Sequence, residues 1–177
     1  FPDIAIEFNT SALYLQQTLS FYLLAFAGMT LVYGPLSDAF GRRVVILGAV
    51  AVYSGCSIGC ALASNEHWLL AMRIGQGLSA SGGIVVGRAI IRDAFAGVQA
   101  QRVMAQMMLM FALAPAVAPI VGGWLHEAFG WRSVFVFLAL LGLGTWVWTA
   151  LSLPETLPAI ARQSIHPRAV AAAYGRA

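Results

Sequence analysis

The ten residues Gly34-Pro35-Leu36-Ser37-Asp38-Ala39-Phe40-Gly41-Arg42-Arg43 return in altered form 89 positions later, as Gly123-Trp124-Leu125-His126-Glu127-Ala128-Phe129-Gly130-Trp131-Arg132. Six positions are identical, and Asp38 is answered by Glu127. Each copy separates two long apolar runs and reads as a short turn. Three apolar runs fit between the copies, each long enough to cross a bilayer. An odd number of crossings puts the second copy on the opposite side of the membrane from the first. The repeat is therefore inverted, which restricts the chain to folds made of two units related by an axis in the membrane plane.

The composition agrees with a lipid environment. Of the 177 residues 60 % are hydrophobic and 10 % charged, with a mean hydropathy of +0.80; a water-soluble domain carries about 25 % charged residues. The net charge of +3 comes from ten arginines and no lysine. That excess is small and dispersed, so it does not indicate nucleic acid. Cys56 and Cys60 stand four apart in one apolar run, a poor geometry for a disulfide on a helix, and read as packing residues. The chain opens on Phe1-Pro2 with no recognisable signal peptide, and is expected to be a fragment whose own N-terminus lies upstream.

A spanning helix needs about 20 largely apolar residues, because a rise of 1.5 Å per residue must cover roughly 30 Å. Five segments qualify, at about 13–36, 44–63, 68–87, 103–125 and 134–153. Residues 1–153 thus form a partial transmembrane bundle, and 154–177 begin a linker. Short joints separate the spans, except for a longer stretch over 88–102. Arginine placement orients the bundle. Arg42 and Arg43 follow the first span; Arg88, Arg92 and Arg102 surround the connection after the third; Arg162, Arg168 and Arg176 follow the fifth. The alternate connections hold only Arg132. The first, third and fifth spans are therefore expected to end in the cytoplasm, with residue 1 outside and the tail inside. A chain that starts outside lacks one helix of a three-plus-three unit, so its spans correspond to the second to sixth of a six-helix half.

Several residues carry chemistry. Gly34 and Gly41 permit tight backbone turns, and Asp38 can pair with Arg42 across the loop. Arg73 is the one charge inside a span. It lies five residues past Trp68, about 8 Å deep, and an arginine at a helix centre costs roughly 2.5–3.5 kcal/mol on insertion scales, so it faces protein or a watery cavity. Gln76 and Gly77 follow on its helical face; the alternative is snorkelling to the interface. Pro115 and Pro119 loosen the fourth span's hydrogen-bond ladder, and Gly122 and Gly123 let a neighbouring helix approach. Gln16 and Ser20 share one face of the first span, beside Thr18 and Tyr22, where they line a substrate path or bond to a neighbouring helix.

Together these stretches resemble a known family. Gly34-x-x-x-Asp38-x-x-Gly41-Arg42-Arg43 is similar to the loop signature of major facilitator transporters. Gln16-x-Thr18-Leu19-Ser20, Ala114-Pro115-Ala116-Val117-Ala118-Pro119-x-x-Gly122-Gly123 and Leu153-Pro154-Glu155-Thr156-Leu157-Pro158 narrow the likeness to the Bcr/CflA subfamily of multidrug efflux proteins, over residues 1–158. The resemblance implies an all-α membrane protein with five transmembrane helices, an inverted three-plus-three half that lacks its first helix. It implies drug:proton antiport by alternating access in the bacterial inner membrane, driven by the proton gradient without a cofactor. The expected partners are a drug-like small molecule, the lipid bilayer, and the missing first helix and C-terminal half of the same transporter. The resemblance also assigns roles. Gly34, Asp38, Gly41, Arg42 and Arg43, with Asp93 at the end of the third span, form a conformational latch. Arg73, Gln76 and Gly77 belong to a signature tied to proton coupling, and Pro115, Pro119, Gly122 and Gly123 to an antiporter motif. The family usually has a basic residue where Ala39 stands and glycine where Ala118 stands. Its proton-binding acid usually lies on the first helix, and none of the seven acids here is deep in a span.

Rival readings remain. A nutrient importer of the same superfamily is the nearest, and a non-transporting membrane fragment the bland one. Gly55-Cys56-Ser57-Ile58-Gly59 fits a serine-hydrolase pattern, but it lies mid-helix with no histidine in a span to act as base, so helix packing explains it. Asn9-Thr10-Ser11 reads as the cap of the first span. His67, His126 and His166 are scattered over different connections and define no metal site.

Overall fold

The computed structural model describes residues 2–158 together with 160 and 162. Its helices are α1 (Pro2–Glu7), α2 (Ala12–Phe40), α3 (Arg42–Ala61), α4 (Glu66–Ala94), α5 (Gly97–Phe129) and α6 (Trp131–Ser152), with no strand among the described residues. The last five are each long and apolar enough to cross a membrane. The chain is an all-α, multi-pass membrane protein.

Most of these helices run past the apolar stretches that identify them. The stretch over 88–102, expected to be a long connection, is helical except for Phe95 and Ala96. Hydropathy marks only the part of a helix embedded in hydrocarbon. The hydrogen-bond ladder continues into the interface wherever no glycine or proline stops it. The segment before α2 contains the one-and-a-half-turn helix α1, anchored by Ile4 at 2 % exposure. Ser11 caps α2, its hydroxyl accepting from the Tyr14 N–H at 3.2 Å. Asn65 caps α4 in the same way through the Trp68 N–H at 2.8 Å.

The two copies of the repeat are not turns. Residues 34–40 belong to α2, with Pro35 inside the helix, and the reversal is made by Gly41 alone at φ 99°. Gly130 does the same between α5 and α6 at φ 81°. Both conformations are open essentially to glycine only. Gly34 therefore makes no turn. The Gly41 N–H bonds the Ser37 carbonyl at 3.2 Å, and the Gly130 N–H bonds the His126 carbonyl at 2.9 Å. These are the same positions in the two copies. α3 starts beside Gly41, and Ala63, two residues past its far end, receives Arg132, two residues past Gly130. The reversals thus lie at opposite ends of a helix of 20 residues, about 30 Å apart.

Small residues set the packing, as expected where lipid offers no hydrophobic drive for helices to associate. Gly59 of α3 receives the Met72 side chain of α4, and Gly75 of α4 receives Cys56 of α3. Gly77 lies against the Tyr22 backbone carbonyl of α2, and Gly142 of α6 against the Ser54 hydroxyl of α3. By contrast α5 has no buried residue.

Candidate functional site

At the Gly41 end, Arg42 is buried to 7 % exposure and holds three helices. Its Nη1 meets Asp38 Oδ1 and donates to the Ser37 hydroxyl, each at 2.5 Å, within the last turn of α2. Its Nε donates to Asp93 Oδ2 at 3.0 Å, near the end of α4. Its backbone N–H donates to Glu155 Oε1 at 2.9 Å, just after α6. The position of Arg42 in the first turn of α3 follows from Gly41, which ends α2 and starts α3 in a single residue. Arg43 points the other way, its Nη2 donating to the Ala150 carbonyl of α6 at 2.7 Å. Asp38, Arg42 and Asp93 are thus brought together, while Arg43 joins a different helix. Sequence reasoning missed Ser37 and Glu155 as partners of Arg42. The Leu-Pro-Glu-Thr stretch was visible, but nothing local says that it folds back on α3.

Deeper in the bundle, Arg73 enters a polar chain through α2, α3 and α4. Its Nη1 donates to Gln76 Oε1 at 3.0 Å, and its guanidinium lies over the Tyr22 ring at 4.6 Å. Gln76, fully buried, donates from Nε2 to the Ser57 hydroxyl at 2.7 Å. Ser57, also fully buried, donates to the Tyr53 carbonyl at 2.8 Å. The half-buried Arg73 has no carboxylate partner among the described residues. Gly77 serves the same junction from the backbone: a β-carbon there would overlap the Tyr22 carbonyl. Ser57 was the serine of the hydrolase-like pattern, and its neighbours show what that pattern does. Gly59 packs on α4, Gly55 faces open space, and Ser57 fills a hydrogen bond of Gln76.

The antiporter-type residues of α5 sit elsewhere. Pro119, Gly122 and Gly123, with Arg73 and His126, line a cavity of about 590 Å³ between α4, α5 and α6. A β-carbon added at Gly122 or Gly123 would meet nothing within 4 Å beyond its own helix backbone, so the expected close helix contact is not made among the described residues. Pro115 and Pro119 lie within one continuous, exposed helix. Gln16 and Ser20 are exposed as well, and the Ser20 hydroxyl bonds the Gln16 carbonyl of its own helix at 3.4 Å.

At the Gly130 end, Glu7 of α1 accepts from Trp131 Nε1 at 2.7 Å and from Arg132 Nη1 at 2.6 Å. These bonds, Trp131 first, hold its carboxyl below the ordinary range. Arg132 Nη2 donates to the Ala63 carbonyl at 2.9 Å, and its guanidinium stacks 4.2 Å from the Trp131 ring. Asp3 Oδ2 lies 2.7 Å from His126 Nε2. No cluster of three or more metal-ligating side chains occurs among the described residues. His166, Arg168, Arg176 and most of the 154–177 linker fall outside them.

The sequence profile of the Major Facilitator Superfamily matches residues 1–174. The chain is 38 % identical over 160 residues to the uncharacterized MFS-type transporter YdgK of Bacillus subtilis, covering 89 % of this chain and 40 % of that protein. It is 33 % identical over 156 residues to a bicyclomycin resistance protein homolog of Haemophilus influenzae, covering 88 % and 39 %. Among solved structures it resembles the human organic anion transporter MFSD10 (TETRAN), at 25 % identity and a TM-score of 0.72, over 87 % of this chain and 35 % of the other. The chain spans about 40 % of the length of the curated relatives it matches. Fold and relatives are those of transporters, not enzymes. The chain therefore belongs to the major facilitator superfamily, among relatives of the Bcr/CflA type.

Proposed function

We propose that this chain is part of a proton-coupled exporter that moves drug-like small molecules out across the bacterial inner membrane. Alternating access against a second half of the same transporter would carry the substrate, with the proton gradient as the energy source and no cofactor. Drug-resistance relatives support export. Arginine distribution supports a cytoplasmic Gly41 end, since Arg42, Arg43, Arg88, Arg92 and Arg102 gather there and only Arg132 stands at the other.

The observation that carries the coupling role is Arg73. A permanent cation is held in the span by an amide and a tyrosine face, with no carboxylate to neutralise it among the described residues. Such a charge lowers the pKa of any acid brought near it, and so favours proton release when access changes. Arg42, bonded to carboxylates from two helices, suits a latch that holds one conformation.

The test uses the full-length transporter in proteoliposomes under an imposed pH step. Arg73→Ala should insert normally yet lose most proton-driven export, by roughly tenfold or more if the cation tunes a proton site by one pKa unit. Arg73→Lys should retain part of it. Wild-type export by the alanine variant at several external pH values would remove the coupling role.

A further inference from the structure

We infer that Arg43 and Arg132 are reciprocal staples that hold α3 and α6 together at both ends through the transport cycle, so that the two helices move as one body. Movement through a transport cycle rests on the function proposed above; the stapling itself does not.

The two arginines occupy the same position of the repeat, 89 residues apart. Each stands in the first turn of its helix and reaches the closing end of the other. Arg43 of α3 bonds the Ala150 carbonyl in the last turn of α6, and Arg132 of α6 bonds the Ala63 carbonyl just past α3. Carbonyls at a helix C-terminus have no partner within the helix and carry its partial negative charge, so a guanidinium there both satisfies and neutralises them. Midway between the ends, Gly142 of α6 rests on Ser54 of α3. The pair is therefore fixed at three levels.

Two features separate these contacts from a gate. Both staples are formed at once, at opposite ends of the membrane span, whereas a gate opens one end as it closes the other. The acceptors that join α3 to α6 are backbone carbonyls, which do not titrate, and arginine stays charged at any working pH; the Glu7 carboxylate that Arg132 also meets belongs to α1, outside the pair. Arg42 differs in what joins it to other spans, since its side chain meets the Asp38 and Asp93 carboxylates of α2 and α4. One copy of the repeat thus supplies a switchable arginine and a fixed one. The other supplies Trp131 in place of the switch and keeps the fixed one.

Hydrogen exchange of the full-length protein tests the staples directly. Arg132→Ala should speed exchange about tenfold at the Gly130 end of both α6 and α3 while leaving the Gly41 end unchanged, and Arg43→Ala should do the mirror image. Faster exchange only on the helix that carries the substitution would overturn the inference. A second measurement fixes the pair covalently. A β-carbon at Gly142 falls 3.3 Å from Ser54 Cβ, close to the span of a disulfide. Ser54→Cys with Gly142→Cys, in a background carrying Cys56→Ala and Cys60→Ala, should crosslink and export within twofold of its reduced form. A larger loss that dithiothreitol reverses would show that the helices must separate. Absence of export by the wild type would sink the proposed function, while the exchange result would still decide the staples.

Discussion

Gln76 Nε2 donates to the Ser57 hydroxyl at 2.7 Å, joining α4 to α3 where neither side chain meets the surface. The same amide accepts from Arg73, so the charge in the span is positioned from α3 through one glutamine. Leaving a buried polar group unpaired costs about 1–3 kcal/mol. Gln76→Leu and Ser57→Ala should each lower stability by about that amount in thermal unfolding of the purified protein. Because the two side chains share one bond, the double variant should fall short of the sum by at least about 0.5 kcal/mol. Strict additivity would mean that the bond contributes nothing.

Arg42 sits between Asp38 and Asp93 at 2.5 and 3.0 Å, almost out of solvent. Removing one carboxylate leaves its charge half-compensated in the state that the pair stabilises. In the full-length transporter, Asp38→Asn and Asp93→Asn should slow turnover by about tenfold and shift drug affinity by less than twofold, as expected of a change in a conformational equilibrium. Export rate and equilibrium drug binding, measured on the same preparation, separate the two. Unchanged turnover in both variants would reduce the pair to topology charges.

Glycines that look alike in the sequence should respond differently to a methyl group. At Gly77 the added carbon meets the Tyr22 backbone, which cannot rotate away, so Gly77→Ala should destabilise by about 1–3 kcal/mol through overpacking. At Gly55 nothing lies within 4 Å, and Gly55→Ala should be neutral or stabilise by up to about 1 kcal/mol from helix propensity. Thermal shift of the two variants side by side checks the ordering.

Glu7 gives a pH signature at the Gly130 end. Its carboxyl is held below the ordinary range, by Trp131 first and Arg132 second. A depressed folded pKa means stability that is present above the unfolded value, about 4.3, and is lost as pH falls through the folded one. Docking of α1 should therefore hold from pH 7 down to about 4 and weaken below that. Trp131 fluorescence, with the other four tryptophans replaced by phenylalanine, reports it. Glu7→Gln should show no such transition, and an identical transition in that variant would assign the signal to another group.

The sequence by itself determined the crossings and the inverted relation of the two copies. Both follow from local quantities, namely apolar length and the count of spans between Gly34 and Gly123. It also marked Arg73 as a charge needing protein around it, because hydrocarbon offers it no partner. Tertiary structure decided the rest. That Gly41 and Gly130 each reverse the chain alone, while Gly34 stays helical, depends on backbone angles that glycine allows but does not announce. That Ser57 serves Gln76, Glu155 meets Arg42, and Arg43 and Arg132 exchange helix ends depends on contacts across 19 to 113 residues. Periodicity says which face of a helix is polar; only packing says what that face meets.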